Sequence, residues 1–339
     1  MTMRPGTAAI AGVLAFLALP MTAQAYSTLY VFGDSLSDAG NVFLATHMQQ
    51  PAAPYANGQY SNGPTWVQDL AGSLGLGPVT ASLAGGTDYA YGGSTTGYAV
   101  PGPTAAVPTL TAQITLFSSA VGGVAPSTAL YAVWSGANDL FAILSDGLAK
   151  GALDSTQAVQ AAAEAAGVEA GAIATLATAG AKTFVVPLLP DLGKTPDIRA
   201  AGASAAATAL SATYNAALIA DIQALVAGTS ISVSLVDTFS LIDAAVSTPN
   251  AYGFTDVTAP CYSGPYTGGG SGCRTQDQYL FWDSVHPTAA GHAIIAAAAE
   301  AALPEPGTLA VLAFGLIGLG ALRTGRSPIP LPIRHVEAS

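Results

Sequence analysis

The chain has 339 residues, 51% of them hydrophobic and only 9% charged, with nine basic against twenty acidic side chains and a formal net charge of −11. High apolar content with little charge is the reverse of a disordered composition, and the acidic balance excludes nucleic acid and anionic membrane surfaces as electrostatic partners. The two cysteines, Cys261 and Cys273, have no histidine cluster nearby and offer too few ligands for a metal.

Residues 1–25 carry a basic start at Arg4, an apolar stretch from Ala8 to Leu19 and a terminal Ala23-Gln24-Ala25. Those three parts make a secretory signal peptide, its apolar core too short for a settled span; the alternative is a buried N-terminal helix. The following 26–303 is long enough for one substantial α/β domain. It holds five basic and eighteen acidic residues.

Within that domain, apolar runs at 28–32, 79–83, 129–134, 183–187 and 231–236 predict strands. Alanine-rich stretches at 155–179 and 203–227 predict helices, and a last helix is expected over 288–302. Strands alternating with helices predict a parallel sheet covered on both faces, and unalternating apolar strands fit burial on both sides. Ligands in such sheets bind beyond the carboxyl ends of the strands. The loop Gly33-Asp34-Ser35-Leu36-Ser37-Asp38-Ala39-Gly40-Asn41 follows the first strand and Gly136-Ala137-Asn138-Asp139 the third, so both should open on one edge. Residues 101–108 and 251–272 read as long loops. An exported setting favours a Cys261–Cys273 disulfide that closes the Gly- and Tyr-rich stretch 262–272, with free thiols as the alternative.

Past the domain, 304–326 begins Pro304-Glu305-Pro306-Gly307, continues as an apolar run over 308–322 and ends with Arg323 and Arg326. About fifteen apolar residues make a marginal span. A Pro-rich tail fills 327–339.

Hydrolysing an ester with serine requires a base for the hydroxyl proton, an orienter for that base and donors aimed at the developing oxyanion. Ser35 is the candidate nucleophile, placed where a helix start and its free N–H groups would favour negative charge. Ser35-x-x-Asp38 also reads as a helix cap. His286 is the candidate base and Asp283, three residues earlier, its orienter. Pro287 biases His286 away from helical geometry, which puts it on the loop before the final helix. The Ser35 and Gly93 backbone N–H groups and the neutral Asn138 side chain are the candidate oxyanion donors; Asn138 also suits a plain turn. Asp34, Asp38 and Asn41 read as shaping the turn, Asp139 as a loop-stabilising acceptor and His292 as structural. Trp66, Tyr91, Trp134 and Phe281 suit either an acyl pocket or the core.

These segments resemble the SGNH/GDSL hydrolases, in the GDSL lipase/esterase branch, whose four letters stand here as Ser35, Gly93, Asn138 and His286. The likeness runs from about residue 28 to 302 and includes Gly58-Gln59-Tyr60-Ser61-Asn62-Gly63-Pro64, Val186-Pro187-Leu188-Leu189-Pro190-Asp191-Leu192-Gly193 and Tyr214-Asn215-Ala216-Ala217-Leu218. Asp88 stands where the family usually has Asn. The resemblance implies a flavodoxin-like three-layer α/β/α fold, and carboxylic ester hydrolysis with no metal or cofactor. The expected function is an exported lipase or esterase acting through an acyl-enzyme on Ser35. A carbohydrate or polymer deacetylase, an acyltransferase and a catalytically silent envelope protein of the same fold are the alternatives. The 304–326 segment resembles the PEP-CTERM sorting signal. It implies envelope sorting machinery as a partner, transient membrane contact through 308–322, and a periplasmic, surface or secreted location; a permanent anchor is its alternative.

Overall fold

The computed structural model describes residues 26–99 and 107–304. The expected signal peptide, the sorting segment beyond Pro304, the 327–339 tail and most of 101–108 lie outside the described residues. Four strands form the central sheet: β1 (Leu29–Gly33), β2 (Leu130–Trp134), β3 (Thr183–Pro187) and β4 (Ser232–Val236). They pair in the order β1-β2-β3-β4, all parallel. Every residue of β2 is buried, which is the pattern of a strand covered on both faces.

The expected strand at 79–83 does not form. Among the described residues it makes an isolated bridge from Ala81 to Asp88, and the chain then enters a 3-10 turn at Ser82–Ala84. The place beside β1 is taken by residues 87–91. Val31 N–H donates to Thr87 O at 3.1 Å, Tyr89 N–H to Val31 O at 2.8 Å and Tyr91 N–H to Gly33 O at 3.2 Å. On the far edge of this ribbon the Asn41 side-chain amide donates to the Asp88 and Ala90 carbonyls, at 2.8 and 2.9 Å. A side chain thus satisfies backbone groups on that edge, and 79–83 keeps two bonds there: Ser82 N–H donates to Asp88 O at 2.7 Å and Asp88 N–H to Thr80 O at 3.0 Å. With 87–91 outside β1, the order is the flavodoxin-like 2-1-3-4-5 of a doubly wound sheet.

Nine α-helices occur among the described residues: α1 (Asn41–Ala45), α2 (Trp66–Ser73), α3 (Leu110–Ala120), α4 (Ala137–Ala142), α5 (Ser155–Ala179), α6 (Pro196–Ala200), α7 (Ser204–Ala227), α8 (Thr238–Ser247) and α9 (Ala289–Ala302). The neighbours α3, α5 and α7 cover one face of the sheet, and α2 and α9 the other. Helix α5 starts in a capping box. The Asp154 carboxylate accepts from Gln157 N–H, and the Gln157 side-chain oxygen accepts from Asp154 N–H, both at 2.9 Å. Its buried stripe is mostly alanine (Ala158, Ala162, Ala165, Ala172), small enough for α7 to lie close along it. Helix α7 is long and apolar enough to cross a membrane by length and composition, but its buried residues, Leu210, Tyr214, Leu218 and Ile222, recur at helical spacing and pack into the domain.

The region 251–272 is more regular than a long loop. Strand β5 (Asp256–Pro260) runs there, followed by β6 (Tyr262–Ser263) and β7 (Ser271–Gly272), which form a small antiparallel hairpin. Strand β8 (Tyr279–Phe281) then pairs in parallel with β5. Cys261 and Cys273 are joined by a disulfide across the base of the hairpin.

Candidate active site

Strand β1 delivers the chain into a tight turn in which the Asp34 carbonyl accepts from Ser37 and Asp38 N–H, at 3.1 and 3.0 Å. Ser35 sits at the outer bend of this turn and is not a helix cap. The first helix begins at Asn41, after Gly40, and the capping acceptor is Asp38. Its carboxylate accepts from the N–H groups of Gly40 (2.8 Å), Asn41 (2.6 Å) and Val42 (3.2 Å), and from Gly92 across the gap at 2.8 Å. The helix-dipole reason for placing Ser35 is therefore replaced by a local one: the turn leaves its own N–H without a partner among the described residues.

Asp38, Asn41 and Asp88 lace this turn to the strip that carries Gly92 and Gly93. The Asp88 carboxyl accepts from Ala39 N–H at 2.5 Å and from Ala90 N–H at 2.8 Å. None of the three is exposed to solvent. Burial pushes Asp34 up to about 7 and Asp38 up to about 6, against the N–H groups that favour their charged forms. Asp88 is raised well above the ordinary carboxylate value, by burial and then by the neighbouring Asp38 charge. The reading of Asp34, Asp38 and Asn41 as turn-shaping residues agrees with these bonds.

His286 lies on the loop between β8 and α9, immediately before Pro287. Its Nε2 stands 2.7 Å from Ser35 Oγ, across 251 residues of sequence. Its Nδ1 stands 2.7 Å from Asp283 Oδ2 and 2.9 Å from Oδ1. Asp283 also accepts from the N–H groups of Val285 (2.9 Å) and His286 (2.8 Å) and from the Tyr55 hydroxyl at 2.7 Å. Burial works to raise the Asp283 carboxyl, but the His286 ring and those two N–H groups outweigh it and hold the group below the usual value. Burial and then the Asp283 carboxylate push the Tyr55 phenol up, so it stays a donor. The Tyr60 and Tyr266 rings flank His286, with centroids 5.1 and 6.0 Å from the imidazole. The 58–64 block binds the same loop: Ser61 Oγ donates to Pro287 O at 3.0 Å, and Ala289 N–H donates to Asn62 Oδ1 at 2.7 Å. His292 is a separate, buried ring that accepts from Trp66 N–H at 3.3 Å; burial pushes it down to about 3, so it stays neutral.

Gly93 adopts φ +80, a conformation that favours glycine, and its N–H makes no hydrogen bond within the described residues. Asn138 stands in the first turn of α4 and donates one amide hydrogen to Ser94 O at 2.9 Å; the second has no partner among the described residues. Asp139 accepts from Thr96 N–H (2.9 Å) and hydroxyl (2.8 Å), which ties the same two loops together; burial raises it to about 6.

Ser35, Gly93, Asn138 and His286 all line one cavity of about 770 Å³. Its walls are largely apolar, with Leu36, Phe141, Leu144, Ile198 and Ile242 prominent among them. Trp134 and Phe281 belong to this wall. Trp66 and Tyr91 are buried away from it, with the Trp66 indole donating to Ser37 Oγ at 3.0 Å. The sequence reading missed Tyr55 and most of the cavity wall, because an apolar side chain facing a cavity carries the same signature as one facing the core.

A parallel, doubly wound sheet with a serine, an imidazole and a carboxylate in series at its carboxyl edge defines an α/β protein of the serine-hydrolase type. The model of the GDSL-like Lipase/Acylhydrolase family matches residues 29–299, and the chain belongs to that family. It is 31% identical to esterase EstA of Pseudomonas aeruginosa over 85% of its own length and 48% of EstA. It is 29% identical to a phosphatidylcholine-sterol acyltransferase of Aeromonas hydrophila, over 71% of this chain and 67% of that one. The chain thus spans about half the length of EstA. Among solved structures, LAE5, a hydrolase from the metagenome of Lake Arreo, covers 81% of this chain and 94% of its own, with 16% identity and a TM-score of 0.43.

Proposed function

We propose that this chain is an exported carboxylic ester hydrolase that works through an acyl-enzyme on Ser35. The observation that carries the reading is the continuous series from Ser35 Oγ through the His286 ring to Asp283, with 2.7 Å at each junction. His286 Nε2 takes the hydroxyl proton as Ser35 Oγ bonds to the ester carbonyl carbon. The carbonyl oxygen becomes an oxyanion, received by the Ser35 and Gly93 N–H groups and the free hydrogen of Asn138. The C–O bond to the alcohol breaks, and His286 returns the proton to the departing oxygen. Water, deprotonated by His286, then attacks the acyl carbon, and the acid leaves with Ser35 restored. Asp283 holds the ring and stabilises the imidazolium.

The apolar cavity beside Ser35 supports a lipid or other acyl ester as substrate, since a largely apolar wall with a few placed polar groups suits an acyl chain. The name of the Aeromonas hydrophila relative favours one second reading, transfer of the acyl group to an alcohol in place of water. Export rests on the signal-peptide pattern of 1–25. The Pro-Glu-Pro box, apolar run and arginines of 304–326 support sorting by envelope machinery with transient membrane contact through 308–322.

The test joins labelling to turnover. The protein should react with a fluorophosphonate probe and hydrolyse p-nitrophenyl esters, and Ser35→Ala should lose both while keeping its fold. An unlabelled, folded parent, or turnover surviving in Ser35→Ala, would defeat the assignment. Adding glycerol or a sterol and analysing products separates hydrolysis from transfer.

A further inference from the structure

Glu169 lies on α5 in the midst of its buried alanine stripe and has no solvent exposure. Placing a carboxyl there is unfavourable unless hydrogen bonds compensate. Both oxygens are in fact used, and both bonds lead to the same loop. Oε1 accepts from Ser135 N–H at 3.2 Å, one residue past β2. Oε2 accepts from the Tyr214 hydroxyl at 2.6 Å, and Tyr214 is itself fully buried on α7. The Tyr214 ring presses on the next residue of the loop. A Cβ at Gly136 would meet its Cζ at 2.3 Å and its hydroxyl at 2.4 Å. Gly136 also holds φ +104, so the loop can adopt this path only with glycine there. Two residues later comes Asn138, fixed on its other side by the bond to Ser94 O.

A packing position on this stripe is served by alanine, as its neighbours demonstrate. A buried acid that binds the loop backbone, and orients a tyrosine against the same loop, does more than fill space. We propose that Glu169 and Tyr214 are positioning residues for the oxyanion hole, fixing the 135–138 turn so that the Asn138 amide faces the Ser35 oxygen. This rests on the ester-hydrolase reading above. The pair touches no reacting atom; it acts through Asn138. Because a misplacement of about 1 Å in such a donor costs up to about a hundredfold in rate, the effect belongs in kcat.

The experiment is a double-mutant cycle on ester turnover by the full chain. Asn138→Ala is measured first and should lower kcat by about a hundredfold or more. Glu169→Leu should lower kcat by about ten- to a hundredfold in the parent, with KM changed less than about twofold. In the Asn138→Ala background the same change should cost less than about twofold, since the amide it positions is gone. Glu169→Gln, which keeps an acceptor for Ser135 N–H, should recover most of the loss. Equal losses in both backgrounds, or full kcat in a folded Glu169→Leu, would overturn the proposal. Should Glu169→Leu fail to fold, Tyr214→Phe, which keeps the ring on Gly136, runs the same cycle with the same criteria. An unchanged rate in Asn138→Ala would remove the oxyanion assignment of Asn138 and this proposal with it, while labelling of Ser35 would still stand.

Discussion

Ser35 and His286 reach their shared hydrogen bond from scaffolds that differ in kind. The serine side is polar and buried: Asp34, Asp38, Asn41 and Asp88 hold two glycine-rich loops through hydrogen bonds to their backbone N–H and C=O groups. The histidine side is aromatic and covalently closed. Tyr55, Tyr262 and Trp282 pack together, with Tyr262 and Trp282 stacked at 5.4 Å, and the disulfide fastens the hairpin that carries Tyr266 to the ring. The first scaffold aims backbone donors and so needs many acceptors at fixed points. The second must hold one side-chain ring, which packing does well. Their sensitivities should differ accordingly: the serine side to pH, the histidine side to reduction.

The largest effect should come from the link between imidazole and carboxylate. Asp283→Asn keeps the size of the side chain but not the charge that orients the His286 ring, and should lower kcat by about a thousandfold or more, as measured by steady-state turnover. A loss under about tenfold would show that the aromatic cage alone orients the ring. Next comes the disulfide. Cys261→Ser with Cys273→Ser should lower the unfolding free energy by about 2–4 kcal/mol in urea, because the open loop regains entropy when unfolded. An unchanged urea midpoint would mean that the aromatic cluster holds the hairpin without the bond.

The smallest effect sharpens the serine side. Asp34, Asp38, Asp88 and Asp139 all have carboxyls raised by burial. A group that binds its proton more tightly when folded stabilises most below its unfolded value, near 4 for a carboxyl, and that stability is lost as pH rises through the folded value. Thermal stability should therefore fall between about pH 5 and 8. Asp88→Asn removes one of these acids, and should shrink the Tm difference between those two pH values by about 2–4 °C, equivalent to about 1 kcal/mol. The same difference in parent and variant would refute the account of the buried carboxyls.

Much of this site could be read in the chain. Gly33 to Asn41 follows an apolar run, Asn138 follows another, and Pro287 keeps His286 out of the last helix. Each is a local signal with a local cause. The misreadings also have causes. The run 79–83 has strand composition, yet residues 87–91 take the place beside β1, and the run keeps a bridge to Asp88 before it turns at Ser82. Ser35 and Asp38 have the spacing of a cap, yet the carboxylate does the capping and the serine is left at the bend. Tyr55 gave no warning, since its hydroxyl meets Asp283 from 228 residues away and its ring packs on Tyr262 and Trp282, equally remote in sequence.

The sequence by itself determined the alternation of strands and helices, the edge of the sheet on which the loops open, and the set of reactive side-chain types, because periodicity, turn chemistry and residue identity are properties of neighbours along the chain. Only the tertiary structure decided which apolar residues wall the cavity, which carboxyls lose their water, and that Glu169 reaches the loop bearing Asn138. Those outcomes depend on distances between segments remote in sequence, and burial and hydrogen bonding are set by what folding brings within about 3 Å of each atom.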